Sequence, residues 1–366
     1  MREQSLTLQV NRAVADYRLG RPVLIVDANE ACLALSAELA TADAVTVLAN
    51  LTERPPVLAI TESRGRALNI KPSGNGVILL EAKSWLNLAS MQTLADATTD
   101  MGMPLRGPFE RRKGVPPAST ASAIQLAKHA RLLPSAIVTA VPLSDVARLA
   151  DRHDLLIVSA DQIADYEEEA ALSLRPVAQA KVPLVDAENS RIIAFRPADG
   201  GVEHLAIVIG EPAPSSAVLI RLHSECFTGD LLGSMKCDCG EQLRGAIHEI
   251  EAAGAGILLY LAQEGRGIGL MNKLRAYRLQ QDGFDTVDAN LRLGFDADER
   301  IFRPAAQMLR LLGYKKVRLM TNNPNKVDGL RDCGIEVTER VEHIFAANRH
   351  NEFYLQTKKA RSGHML

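Results

Sequence analysis

No stretch of this 366-residue chain is apolar for the length a bilayer requires, and residues 1–20 lack an apolar core followed by a cleavage site. Neither a membrane partner nor a secretory leader is therefore expected, and the chain reads as cytoplasmic. Excess charge is missing too: 42 Lys and Arg stand against 44 Asp and Glu, a net charge of −2. With no basic footprint and no acidic tail, a nucleic-acid partner is disfavoured. Cysteine is scarce, five residues unevenly placed. An odd count fits no paired disulfide framework and points to a reducing compartment where thiols bind metal instead.

What is present is an ordinary globular composition, 47% hydrophobic and 23% charged, at a length that suggests two domains. Three of the five cysteines fall in RLHSECFTGDLLGSMKCDCGEQL, residues 221–243, as Cys226, Cys237 and Cys239 in the spacing C-x10-C-x-C. Three thiolates without a fourth Cys or His at finger-like spacing suit a zinc ion whose fourth position stays open for water, an arrangement for catalysis rather than scaffolding. Inert buried thiols are the alternative. Against it, residues 224–240 are crowded with Ser, Thr, Asp, Gly and Lys, unlike a core strand. Leu243, Ile247 and Ile250 recur at helical spacing before Gly254. The last two thiols thus enter a helix N-terminus, where free N–H groups and the helix dipole favour thiolate.

In the first half, short apolar runs alternate with helical patterns, which argues for an α/β domain. Strands are expected at 23–26, 44–51, 57–61, 76–80, 136–140 and 155–159, and helices from Asn11, over 31–42, 122–130 and 143–153. Asp27, Asn29, Glu30 and Glu38 cluster near a strand end, where caps or solvated surface are the simplest reading. His129 and His153 read as surface histidines. Residues 174–183 read as a connector ending in Pro183.

In the second half, strands at 191–195, 203–209 and 216–222 lead to the first cysteine, and 256–261 leads into Gln263-Glu264-Gly265-Arg266-Gly267-Ile268-Gly269. Glycines let backbone approach a ligand closely, and Arg266 can meet a phosphate as a planar fork. A helix over 270–281 carries Tyr277 one turn past Lys273. Acids and arginine in Phe295–Arg300 precede another helix, and the strand 316–320 ends in Thr321-Asn322-Asn323-Pro324-Asn325-Lys326, a suitable place for a phosphate or a base edge.

From about Lys181 to Leu366 these segments resemble GTP cyclohydrolase II: SEC…CDCG, QEGRGIGL, NKLRAY, GFDADER, TNNPNK and the final NRHNEFYLQTKKARSGHML occur in order. The resemblance implies hydrolytic opening of the guanine imidazole ring of GTP. Formate and pyrophosphate leave, giving 2,5-diamino-6-ribosylamino-4(3H)-pyrimidinone 5′-phosphate, the first committed step toward riboflavin. It implies one zinc per subunit on Cys226, Cys237 and Cys239, magnesium with the nucleotide, and a homodimer. Arg221, Leu222, His223, Ser224 and Glu225 match positions that contact GTP, as do Gln242, Glu264, Gly265 and Arg266, and Thr286, Thr321 and Lys326. Asp298 matches a proton acceptor, Arg300 a nucleophile toward the α-phosphate, and Tyr277 a tyrosine tied to ring opening. An arginine stays protonated at working pH, so charge stabilisation of the phosphate is the more natural role for Arg300.

The first half resembles the 3,4-dihydroxy-2-butanone 4-phosphate synthase domain, through GRPVLIVDANE, AITESRGRALNI and HDLLIVSADQIADYE. That family's dense acidic loop is reduced here to Asp27-Ala28-Asn29-Glu30-Ala31-Cys32, and its R-x-G-H is absent from this half. Magnesium ligands and acid/base groups go with them. The expectation is a mixed α/β (α+β) chain of two domains: residues 1–175 a degenerate synthase-like domain without that activity, and 176–366 a GTP cyclohydrolase II domain. A paralogue acting on another base, or a non-catalytic zinc- or nucleotide-binding protein, is the alternative.

Overall fold

The computed structural model describes residues 3–104, 106–345 and 361, so most of the terminal NRHNEFYLQTKKARSGHML stretch lies outside the described residues. The chain is mixed α/β, with two sheets in two compact units.

The first unit holds a sheet of β1 (Val23–Val26), β2 (Ala31–Ser36), β3 (Val57–Thr61), β4 (Val77–Leu80), β5 (Ser135–Val141) and β6 (Leu156–Ser159), in the order β4-β3-β5-β2-β1-β6. Only β1 and β6 run parallel; the other pairings are antiparallel. Helices Glu3–Arg18 and Ala118–His129 cover one face: Val10, Ala13, Tyr17, Ala123 and Ala127 share a core with Ile25, Cys32, Ala34 and Val138.

Two expected elements exchange places. Residues 31–36 form a strand rather than a helix, and 44–51 fall within the helix Ala42–Thr52 rather than in a strand. All six residues of β2 are buried, so both of its faces are covered, and such a strand shows no alternation to read. The following helix starts at an N-cap, where Thr41 Oγ1 accepts a hydrogen bond from the Ala44 N–H at 3.2 Å. His129 is not a surface histidine either. Its side chain is 4% exposed, and its Nε2 lies 3.0 Å from the Ile163 carbonyl oxygen.

The second unit holds β7 (Arg175–Lys181), β8 (Ser190–Arg196), β9 (His204–Ile209), β10 (Val218–Ser224), β11 (Gly256–Leu261), β12 (Lys316–Met320) and β13 (Glu336–Val341). Their order is β13-β12-β10-β11-β9-β8-β7. Residues 174–183, expected as a connector, mostly form the exposed edge strand β7. Central β10 runs parallel to β11 and β12, so these three strands end side by side. Period two along β10 sends Val218, Ile220 and Leu222 into one core. Leu219 enters another, with Ala246 and Ile250 of the helix Cys239–Ala252. Arg221 and His223 share Leu219's parity and therefore its face.

By compactness the chain divides into two units, both discontinuous in sequence. The first comprises 1–167 together with 271–299, and the second 168–270 with 300–366.

Candidate functional site

The turns after β10, β11 and β12 in the second unit leave from the carboxyl ends of adjacent parallel strands, the place where α/β sheets ordinarily bind ligands. The first turn carries the cysteines. Cys226, two residues past the end of β10, caps a short turn of π-helix, Phe227–Leu231, its sulfur accepting from the Gly229 N–H at 3.3 Å. Cys239 opens the helix Cys239–Ala252, as expected. The three Sγ atoms lie within 4.8 Å of one another, and those of Cys226 and Cys237 are 3.7 Å apart. Tetrahedral ligation with metal–sulfur bonds of about 2.3 Å puts sulfurs about 3.8 Å apart, so this donor set fits zinc. Gly229 makes the cradle possible: a Cβ there would stand 2.9 Å from Cys237 Sγ and from Cys239 Cβ, and 3.0 Å from Cys226 Sγ. Protonated, the thiols oppose one another's ionisation. Hydrogen bonding with Cys226 is the main cause holding Cys237 up at about 11 and Cys239 well above the ordinary thiol range. Three thiolates this close need a cation.

Above the thiols, Arg221 is 4% exposed, and burial pushes its guanidinium down to about 10. Its Nη1 donates to the Met320 carbonyl at 2.9 Å and its Nη2 to Gln242 Oε1 at 2.5 Å. Gln242 Nε2 in turn donates to Asp238 Oδ2, one residue before Cys239. Arg221 Nε is buried without a hydrogen-bond partner among the described residues. A buried unmade donor costs about 1–3 kcal/mol, which marks it as a group reserved for something else.

His223 points to the same face, 3.0 and 3.1 Å from the two oxygens of Asp230, and burial lowers its pKa. Asp230 Oδ2 also accepts from Tyr260 OH and from the Cys226 N–H, each at 3.0 Å. His223 and Tyr260 stack, ring centroids 5.5 Å apart at 17°. Burial, then the neighbouring Asp230 charge, drive the Tyr260 hydroxyl's pKa far up, so it acts here as a donor.

The second turn brings Glu264 back to the metal loop, where Oε2 accepts from the Phe227 N–H at 2.6 Å and Oε1 from the Gly265 N–H at 3.1 Å. Gly265 and Arg266 both have left-handed backbone, φ 64° and 63°. That is unstrained for glycine and uncommon for arginine. Gln263 Nε2 reaches Ser224 Oγ at 3.3 Å. From the third turn, Lys326 Nζ donates to the Leu222 carbonyl at 2.7 Å, and Thr321 Oγ1 accepts from the Asn323 N–H.

Residues 175–342 match the family model for GTP cyclohydrolase II. A GTP cyclohydrolase-2 of Azospirillum brasilense is 53% identical over 362 residues, covering 98% of this chain and 94% of that protein. The chain belongs to the GTP cyclohydrolase II family. A GTP cyclohydrolase-2 of Xylella fastidiosa is 38% identical over 98% of this chain and 88% of its own length. The riboflavin biosynthesis protein RibBA of Parabacteroides distasonis is 34% identical over 98% and 97%. Membership makes this chain an enzyme of riboflavin biosynthesis, in a family that acts on GTP.

Of the residues matched to GTP cyclohydrolase II positions, Arg221–Cys226, Cys237, Cys239, Gln242, Glu264–Arg266, Arg300, Thr321 and Lys326 fall in the second unit. Tyr277, Thr286 and Asp298 fall in the first unit, on 271–299. There Lys273 Nζ stands 5.7 Å over the Tyr277 ring, Thr286 Oγ1 accepts from Gln280 Nε2 at 3.4 Å, and Asp298 is exposed. Sequence reasoning missed Asp230, Tyr260, Asp238 and Gly229. Position within the cysteine stretch was the one available signal for Asp230, Asp238 and Gly229; nothing marked Tyr260, which reads as an ordinary strand residue.

Proposed function

We propose that the protein is a zinc-dependent GTP cyclohydrolase II. It hydrolyses GTP, with magnesium on the triphosphate, to 2,5-diamino-6-ribosylamino-4(3H)-pyrimidinone 5′-phosphate, formate and pyrophosphate. The observation that carries this reading is the three-thiol cluster beside the buried Arg221–Gln242 pair, at the ends of three parallel strands, in a chain of this family.

Cys226, Cys237 and Cys239 would hold zinc, which when bound supplies a Lewis acid able to activate water for attack on the guanine imidazole carbon. Arg221, Leu222, His223, Ser224 and Glu225 would line the nucleotide with Gln242, and Arg221 Nε offers an unspent donor to an anionic oxygen. Glu264, by gripping the Phe227 and Gly265 amides, fixes the metal loop and sets the backbone bearing Arg266. Arg266, Lys326 and Thr321 suit phosphate and base recognition. Tyr277, Thr286 and Asp298 keep the roles that their matched positions suggest, with Asp298 as proton acceptor. Arg300 stabilises charge at the α-phosphate.

The protein acts in the cytoplasm as a homodimer on this reading, without nucleic-acid or membrane partners; no described helix is long and apolar enough to cross a membrane. The residues 1–175 lack synthase activity. Asp27 supports this, because its carboxylate is spent on the N–H groups of Asn29, Glu30 and Ser119 as a cap.

The test is incubation of zinc-loaded protein with GTP and magnesium, following formate, pyrophosphate and the diaminopyrimidine by mass spectrometry, with ribulose 5-phosphate in parallel. Release of formate and pyrophosphate from GTP, with ribulose 5-phosphate untouched, is the expected result. Inert GTP despite bound zinc would refute the assignment in favour of another base or a non-catalytic role.

A further inference from the structure

The segment 271–299 buries Leu279, Val287, Leu293 and Phe295, and ion pairs and hydrogen bonds also tie it to the rest of the first unit. Arg275 Nη2 lies 2.7 Å from Glu38 Oε1 and its Nε 3.5 Å from Asp96 Oδ2. Asn272 Nδ2 donates to the Arg131 carbonyl at 3.0 Å. Arg292 approaches Asp100, which buried Arg64 already grips through both oxygens at 2.6 and 2.7 Å. Gly294, at φ +93°, passes so close to Thr61 that a Cβ would stand 2.9 Å from its hydroxyl oxygen.

The last turn of the segment, 296–299, carries Asp298 and is closed by one cation. Lys128, on the helix Ala118–His129, places Nζ 2.7 Å from Glu299 Oε1 and 3.1 Å from Asp296 Oδ2. The same Glu299 oxygen accepts from the Asp296 N–H at 2.7 Å, completing a small ring of contacts. Lys128 is 23% exposed and Glu299 19%, so the pair is partly shielded from solvent. Burial disfavours the ammonium, yet the charges of Glu299 and Asp296 hold its pKa raised, so the pin stays charged at neutral pH. Such a bond between a core helix and a short loop costs little further entropy, since the helix is already ordered.

We infer that Lys128 is a positioning residue for the cyclohydrolase reaction: the Lys128–Glu299–Asp296 contacts set the loop that bears Asp298. On this view the helix Ala118–His129 serves as a seat for the loop that bears Asp298, both within the first unit. The inference rests on the function proposed above, through the role given to Asp298.

The test compares the full-length zinc-loaded wild type with Lys128→Met and Lys128→Arg, reading kcat and KM for GTP, zinc content, Tm and backbone hydrogen exchange over 295–300. Lys128→Met should lower kcat on the order of 10- to 100-fold, the scale of a misplaced group, with KM within about twofold and zinc content unchanged. Exchange in 295–300 should quicken, and Lys128→Arg should recover most of kcat. Wild-type kcat in Lys128→Met overturns the inference. So does a loss that tracks a general fall in Tm and is not recovered by arginine. If the wild type itself leaves GTP untouched, the functional reading fails by itself. Hydrogen exchange then decides: faster exchange confined to 295–300 upholds the pin, and unchanged exchange overturns it.

Discussion

Gly229→Ala offers a direct test of the metal cradle, because the added methyl has a defined destination. Its carbon would stand 2.9 Å from Cys237 Sγ and from Cys239 Cβ, and 3.0 Å from Cys226 Sγ, closer than real Cβ atoms come to such neighbours. None of these is the far end of a flexible side chain when the three sulfurs converge on one ion. In the metal-free protein the thiols can splay to relieve the crowding, so the strain falls chiefly on the metal-bound state. Overpacking of a tight site costs about 1–3 kcal/mol. At about 1.4 kcal/mol per tenfold, zinc affinity should weaken roughly 5- to 140-fold. The assay is competition with a chromophoric chelator, with far-UV circular dichroism as a check on folding. Gly102→Ala serves as control, its nearest neighbour being Thr99 O at an ordinary 3.7 Å. Equal zinc affinity in Gly229→Ala and wild type would refute the cradle.

Asp230→Ala strips partners from His223, Tyr260 OH and the Cys226 N–H. At about 1–3 kcal/mol for each buried group left unmade, it should cost about 3 kcal/mol or more in urea unfolding. Asp230→Asn should cost less, since a neutral His223 can present an acceptor to the amide; equal stability of all three proteins would sink this account. Glu62 concerns acid stability. Its carboxyl is held below the ordinary range first by the Ser73 hydroxyl, 2.7 Å away, and then by backbone N–H groups including Gly74 and Asn75. A lowered folded-state pKa gives stability that is present above the unfolded value, about 4.3, and lost as pH falls through the folded one. Glu62→Gln should therefore lose less stability than wild type between pH 5 and 3, and parallel acid limbs in urea titrations would contradict it.

How far the sequence alone reaches differs by element. The helices Leu143–His153 and Leu270–Gln281 and the strand Lys316–Met320 lie where periodicity puts them, since each has one covered face or clear breakers. Residues 31–52 defeated the same reasoning because β2 is buried all round and its Ala/Leu content mimics a helix. The cysteine trio was legible from spacing, because metal ligation imposes composition on a short stretch. Asp230 was not: a lone aspartate in a polar loop looks like solvated surface until a strand delivers His223 and Tyr260 against it. Nor does any local pattern announce that 271–299 joins the first unit, since ion pairs such as Arg275–Glu38 bridge residues hundreds of positions apart.

Cys226 leaves a central strand, and Cys239 starts a helix whose Ala246 and Ile250 are wholly buried against the sheet. In small zinc domains the metal's binding energy is consumed in folding the chain, so stripping the ion unfolds them. Here two ligands hang from elements that already have their own cores. Chelation should therefore leave far-UV circular dichroism nearly intact, and re-added zinc should restore the site without refolding. An enzyme built this way can pass through metal scarcity as a folded, dormant reserve, recruited by supply rather than by new synthesis.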